Sequence, residues 1–208
     1  MTANMQTGIR RAFDESIAAK RQFLEENLES LGEVVDLLAA RMVAGSKLLL
    51  FGNGGSAADC QHIAAELVNR FLLERPPLPA IALTTDTSIL TSVSNDYGYA
   101  DIFAKQVKAL GREGDVAMAI STSGNSSNVI RAVDVCRKKG IQTIGLTGGD
   151  GGKLGGKVDI HLCVTASRAT PRIQETHILV GHVICEMLDQ KLFGRQTRPE
   201  TARRARSE

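Results

Sequence analysis

His62 and Glu66 stand four positions apart in the stretch GNGGSAADCQHIAAE, residues 52–66. Four residues make about one helical turn, so on a helix the imidazole and the carboxylate project from one face. The stretch opens with Gly52, Asn53, Gly54, Gly55 and Ser56. Glycines there would let a ligand approach the backbone, and Ser56 could either cap the helix or reach that ligand. An ordinary strand-to-helix turn would use the same residues. Farther along, Gln174 and His182 are eight positions apart, about 80° around an ideal helix, near enough to address one cleft from different turns. Nitrogen and oxygen donors of this kind suit zinc or another divalent transition metal. Spacing alone does not establish a four-ligand site, because isolated polar residues on helices are more often solvated or structural. His177 lies roughly 140° from His182 on the same ideal helix, and His161 falls in a predicted strand; neither is assigned to catalysis.

A second loop carries Ser121, Thr122, Ser123, Gly124, Asn125, Ser126, Ser127 and Asn128, directly after the apolar run VAMAIS. Hydroxyls and free amides at a helix start can surround a phosphate without a lysine or a magnesium ion. An anion site is expected, since so many hydroxyls exceed what one helix cap requires. Neither loop matches GxxxxGK[ST] or GxGxxG, which argues against a nucleoside triphosphatase or a dinucleotide enzyme.

The surrounding pattern must place these loops at strand ends. Apolar runs predict strands at 47–51, 80–83, 116–121, 142–146 and 158–164, separated by helical patterns near 55–72, 87–94, 100–110 and 126–139. Short Val/Ile/Leu/Ala-rich strands alternating with helices predict a doubly wound α/β fold, a parallel five-stranded sheet covered on both faces. In such sheets ligands bind at the carboxyl ends of the strands. Two helices are expected before the first strand, at 4–27 and 30–44, the latter stopping at Gly45. The last helix is expected to use Thr170 as N-cap with Pro171 at its first position. The glycine-rich segment 148–156 reads as a mobile connection.

Composition narrows the class. The 208 residues, 43% hydrophobic, permit one domain with a substantial core. A formal net charge of +2 with interspersed signs gives no footprint for nucleic acid or a membrane surface. The polar start and the lack of a long apolar run predict a cytoplasmic protein without signal peptide or membrane span. Cys60, Cys136, Cys163 and Cys185 are far apart, with no CxxC pair, and are expected as buried free thiols. Ile9, Phe13, Ile17, Leu24 and Leu28 form an apolar stripe on the first helix. Either its own domain or other subunits must cover it. Residues 1–196 are read as the domain, and the arginine-rich residues 197–208 as a disordered basic tail.

Taken together and in order, GNGGSAADCQHIAAELVNRF, LTTDTSILTSVSNDYGY, ISTSGNSSN and TPRIQETHILVGHVICEML resemble the phosphoheptose isomerases of the sugar isomerase (SIS) domain superfamily. The resemblance runs from the first helix to about residue 196. It implies one zinc per subunit, held by His62, Glu66, Gln174 and His182. It implies substrate contacts at Asn53, Gly54, Gly55, Ser56, Glu66, Asn95, Asp96, Ser121, Thr122, Ser123, Ser126 and Gln174, with Glu66 and His182 as the acid/base pair. The implied assembly is a homotetramer joined through the N-terminal helices. The implied reaction converts sedoheptulose 7-phosphate to D-glycero-D-manno-heptose 7-phosphate through an enediol, toward the ADP-heptose of bacterial lipopolysaccharide. The alternative is a non-catalytic scaffold of the same superfamily that binds the replication initiator DnaA. That relative shares phrases resembling ERPPLPAIALTTD and RIQE but lacks the glutamate and histidine found here at 66 and 182. A sugar-phosphate sensor is a third reading, and no DNA-reading motif supports it.

Overall fold

A computed structural model describes residues 2–194 of the chain. The elements run α1 (Ala3–Val43), β1 (Leu48–Gly52), α2 (Gly55–Val68), β2 (Ala80–Ala82), α3 (Thr87–Tyr97), α4 (Ile102–Leu110), β3 (Val116–Ser121), α5 (Ser127–Lys138), β4 (Gln142–Gly148), α6 (Gly152–Gly155), β5 (Ile160–Val164) and α7 (Thr170–Phe193). The five strands pair in parallel in the order β2-β1-β3-β4-β5. Chain order reverses between β1 and β3, so the doubly wound fold expected from the alternating pattern has its switch point there. Both candidate loops leave from it: the glycine loop follows β1 and the serine loop follows β3.

Every residue of β1 and β3 is buried, which explains their unbroken apolar runs. Along β1, Leu48 and Leu50 join the core beneath α1, α2 and α7, while Leu49 and Phe51 join the core beneath α4 and α5. Burying one such side chain stabilises by roughly 1.5–3 kcal/mol over leaving it exposed. A one-residue slip would send each to the wrong core, so the hydrophobic pattern fixes the register. That register sets Gly52 opposite Ile120 and brings the two loops side by side.

Element ends differ from expectation by up to four residues, as where the helix expected to reach 72 stops at Val68, and three further features differ. Residues 4–27 and 30–44 form one continuous helix of 41 residues, because Phe23, Asn27, Leu31, Val34, Leu38 and Met42 keep the buried face in phase across the expected break. Its N-cap is Thr2, whose hydroxyl accepts from the Met5 amide, and Gly45 follows its end at φ 85°. The last helix begins one residue early: the Ala169 carbonyl already accepts from Ile173 N, making Ala169 the cap and Thr170 the first helical residue. The glycine-rich segment, expected as a mobile connection, is instead pinned. It contains α6, buries Leu154, and donates Leu154 N to Gly124 O at 2.9 Å, beneath the serine loop. All four cysteines are free and buried, as expected. Residues 195–208, including the tail expected to be disordered, lie outside the described residues.

Candidate active site

Helices α2 and α7 pack in parallel. Gly55 lies against the Gln174 amide, and Gly181 lies against Ile63, so an advance of eight residues on α2 (63 − 55) matches seven on α7 (181 − 174). A Cβ at Gly181 would sit 2.6 Å from Ile63 Cδ1; a glycine is needed for this approach. The next residue, His182, consequently meets His62, with their Nε2 atoms 2.8 Å apart. Glu66 Oε1 is 3.4 Å from His62 Nε2, one turn along α2. One ligand atom from each of His62, Glu66 and His182 falls within a mutual span of 4.8 Å. The ring of Phe71 stacks on His182, centroids 5.6 Å apart and planes 24° from parallel, and limits its rotation.

Two imidazole nitrogens and a carboxylate oxygen converging this tightly from two helices fit a divalent transition metal. Gln174 comes from the same helix pair. Its side-chain amide lies against Gly55, the first residue of α2 and about two turns before His62. Asp59, one turn before His62, has a buried Oδ2 that finds no hydrogen-bond partner among the described residues. Burial raises the Asp59 carboxyl above its ordinary range, and the charge of nearby His62 opposes the rise.

At the β1 end, Gly54 takes φ 54° and ψ −121°, a conformation open to glycine, and serves as N-cap of α2. Ser56 is therefore inside the first turn, buried, rather than the cap. At the β3 end, Ser121 Oγ and Ser126 Oγ are 3.0 Å apart. Ser126 occupies the N-cap position of α5 without making a side-chain capping bond. Its hydroxyl is not consumed by the helix, as a purely capping role would require. Thr122 and Ser123 line a cavity of about 200 Å³ with Gly148, Gly149, Asp150, Arg168 and Ile173. Asn95 and Asp96 lie exposed near the end of α3 and bond to one another, Asn95 Nδ2 donating to Asp96 Oδ1 at 2.9 Å.

The two loops are tied directly. Asn53 Nδ2 donates to Asn128 Oδ1 at 2.9 Å, and Asn128 Nδ2 donates to Asn53 Oδ1 at 2.8 Å. Tyr99 Oη also donates to Asn53 Oδ1, at 3.0 Å. Sequence reasoning gave Tyr99, Phe71, Asp59 and Arg168 no role, and placed Asn128 only as the last residue of the serine loop. The motif SNDYGY did place Tyr99 close to Asn95 and Asp96 in the chain, the one signal that could have found it. The two other histidines stay apart from the cluster. His177 is fully buried with Nε2 3.0 Å from Thr147 O, and burial drives its pKa down to about 4. His161 Nε2 sits 2.6 Å from Thr147 Oγ1, and burial lowers its pKa as well.

Comparison with known proteins agrees with this architecture. The SIS domain family matches residues 13–148. A phosphoheptose isomerase of Thermodesulfovibrio yellowstonii is 54% identical over 185 residues, covering 89% of this chain and 92% of the relative. The structure of the phosphoheptose isomerase GmhA from Neisseria gonorrhoeae superposes with a TM-score of 0.84 at 44% identity, over 89% of this chain and 99% of that one. That of a phosphoheptose isomerase from Francisella tularensis gives 0.86 at 40%, over 91% and 100%. Likeness at these identities over nearly whole chains extends well past a shared scaffold, and the chain belongs to the phosphoheptose isomerase family of SIS-domain proteins.

Proposed function

We infer that this chain is an aldose–ketose isomerase that converts sedoheptulose 7-phosphate to D-glycero-D-manno-heptose 7-phosphate, supplying heptose for bacterial lipopolysaccharide. The observation that carries the reading is the meeting of Glu66 with the His62–His182 pair beside a hydroxyl-rich loop at the switch point of the sheet. The isomerisation requires a base to take the proton from the carbon next to the carbonyl, stabilisation of the enediol, and return of a proton to the neighbouring carbon. Glu66 and His182 come from different helices and can face the two carbons from different directions. Ser121, Thr122, Ser123 and Ser126 hold the phosphate at the far end of the sugar, with the first-turn amides of α5. Asn53, Gly54, Gly55 and Ser56 line the sugar between these ends, with Asn95 and Asp96 closing it from α3.

His62, Glu66 and His182 would hold a zinc ion, and the family resemblance adds Gln174 both as fourth ligand and as substrate contact. Bound there, the metal would polarise sugar oxygens as a Lewis acid. No helix among the described residues is long and apolar enough to cross a membrane, and a cytoplasmic place agrees with the biosynthetic role inferred here. Nothing specific to this chain favours the DnaA-binding scaffold: both residues that the scaffold lacks are present and adjacent to His62. The direct test incubates the purified protein with sedoheptulose 7-phosphate, after chelation and after zinc is restored, and identifies the sugar phosphates formed. Formation of the aldoheptose phosphate, stronger with zinc, is expected; binding without turnover in the zinc-loaded protein would overturn the reading.

The working unit is a homotetramer built on α1. Phe13 is 68% exposed and Leu28 61%, and Ile9, Ile17 and Leu24 are also exposed on the same helix. Beside them an apolar groove of about 520 Å³ runs between α1 and α7, lined in part by Leu24, Leu28, Val183 and Met187. A continuous apolar face of this extent marks an association surface. Light scattering should give a mass near four times 22.3 kDa. Phe13→Glu should shift the protein to smaller species while leaving its helical content intact. A wild-type monomer at micromolar concentration that still turned over substrate would contradict the assembly.

A further inference from the structure

The hydrogen bonds among Tyr99, Asn53 and Asn128 have only one consistent polarity. They begin at a backbone amide, whose direction is not open to choice: Val129 N–H donates to the Asn128 side chain at 2.9 Å, so the atom receiving it must be Oδ1. Asn128, 2% exposed, is thereby fixed with Nδ2 toward Asn53. The atom of Asn53 that meets this donor must be its oxygen. The same oxygen meets Tyr99 Oη, which must then donate. The nitrogen of Asn53 gives one N–H to Asn128 Oδ1. Both acceptor directions of the Asn53 carbonyl are thus occupied, and its second N–H has no partner among the described residues. An amide free to flip could offer a ligand either a donor or an acceptor. This one offers a donor only.

We propose that Tyr99 and Asn128 act as positioning residues that lock the Asn53 amide as a hydrogen-bond donor to an oxygen of the phosphosugar, one that gains negative charge as the enediol forms. The proposal rests on the isomerase reading above for the identity of the ligand. Asn53 lies at the carboxyl end of β1 and is tied to the start of α5, between the serine loop and the helix that carries His62 and Glu66. A donor fixed before substrate arrives needs no reorientation as charge develops, the condition under which such groups contribute most. Tyr99 comes from the segment after α3 and is 58% exposed. Its ring is therefore not required by the core, and loss of its hydroxyl leaves the fold intact.

The test compares Tyr99→Phe, Asn53→Ala, Asn53→Asp and the Tyr99→Phe/Asn53→Ala double variant in the full-length, zinc-supplemented protein. Turnover of sedoheptulose 7-phosphate and its equilibrium binding are both measured. Tyr99→Phe should lower kcat/KM by about 2–13-fold, the range of one hydrogen bond between neutral groups, with the melting temperature unchanged. In the Asn53→Ala background the same substitution should have no further effect, because Tyr99 acts only through Asn53. Asn53→Asp should be worse than Asn53→Ala in both turnover and binding, since it sets a carboxylate against the oxygen that needs a donor. Additive effects of Tyr99→Phe and Asn53→Ala, or an Asn53→Asp variant that equals or exceeds the Asn53→Ala variant, would overturn the proposal. Should the wild-type protein bind the phosphosugar without isomerising it, the isomerase reading fails while the binding comparison still decides the polarity of Asn53.

Discussion

Glu66→Gln will lower kcat for sedoheptulose 7-phosphate by roughly 10²–10⁴-fold, the contribution of a positioned general base, while the dissociation constant for the phosphosugar changes little. The substitution preserves side-chain length and one oxygen, so Oε1 can still approach His62 Nε2 as it does at 3.4 Å. What disappears is the group proposed to accept a proton from carbon. Substrate affinity should persist because the phosphate contacts proposed above come from the serine loop, which leaves a different strand from the one that precedes the helix of Glu66. His182→Gln should also impair turnover, and in addition weaken zinc binding, because it removes an imidazole from the cluster. A metal titration of both variants then reads how much each of these two groups contributes to holding the ion, separately from its contribution to the rate. Turnover by the Glu66→Gln protein within about threefold of wild type would exclude Glu66 as the base, since general-base catalysis of this kind contributes far more.

The parts of this site that were legible in the sequence are those set by local spacing. His62 and Glu66 share a face because α-helical periodicity places them there, and the loops at 52–56 and 121–128 follow strands that their own apolar runs announce. The meeting of His62 with His182 depends on something no spacing encodes, the parallel packing of α2 on α7 around Gly181 and Ile63. Only the joint occurrence of the motifs, read as a family resemblance, associated those residues in advance. The roles of Tyr99 and Asn128 about Asn53 are not legible in the sequence for a related reason. A tyrosine and an asparagine carry no chemical signature by themselves, and their roles arise from the switch-point geometry that sets three separate segments around Asn53. The expected break in α1 failed differently. Local composition near Glu29 permits a turn, but a buried face continuous from Ser16 to Met42 keeps the helix intact. The stripe of Ile9, Phe13, Ile17, Leu24 and Leu28 was legible as apolar, yet which surface covers it is not a property of one chain.

A buried ion pair supplies the largest stability effect expected of a single substitution. Arg75 and Asp189 are each 1% exposed at the side chain, with Nε and Oδ1 2.7 Å apart. The pair is saturated: Asp189 Oδ2 accepts from the amides of Leu72 and Leu73 at 3.2 Å. Arg75 donates to the carbonyls of Leu67 at 2.6 Å and Glu66 at 2.9 Å. It thus helps close the carboxyl end of α2, where the Glu66 carbonyl accepts from Arg75 and the Leu67 carbonyl accepts from both Arg75 and the Leu78 amide. Asp189→Leu leaves the guanidinium buried with no counter-charge and strips two backbone amides of their acceptor. Removing one member of such a pair costs about 3–5 kcal/mol, which in a chain of this size lowers the melting temperature by on the order of 10 °C. Arg75→Met/Asp189→Leu should recover part of the loss, because the uncompensated charge is gone, although the Leu72 and Leu73 amides still lack their acceptor. Calorimetry at one fixed protein concentration measures both, since association also contributes to the apparent stability of an oligomer. The consequence reaches the chemistry. The pair joins the helix of Glu66 to the helix of His182, and the strap it anchors, residues 69–75, carries the Phe71 ring that stacks on His182. Loosening it should raise the zinc dissociation constant at temperatures where the variant is still fully folded. An Asp189→Leu protein that melted within about 2 °C of wild type would show that solvent or another group reaches Arg75, against the burial on which the argument stands.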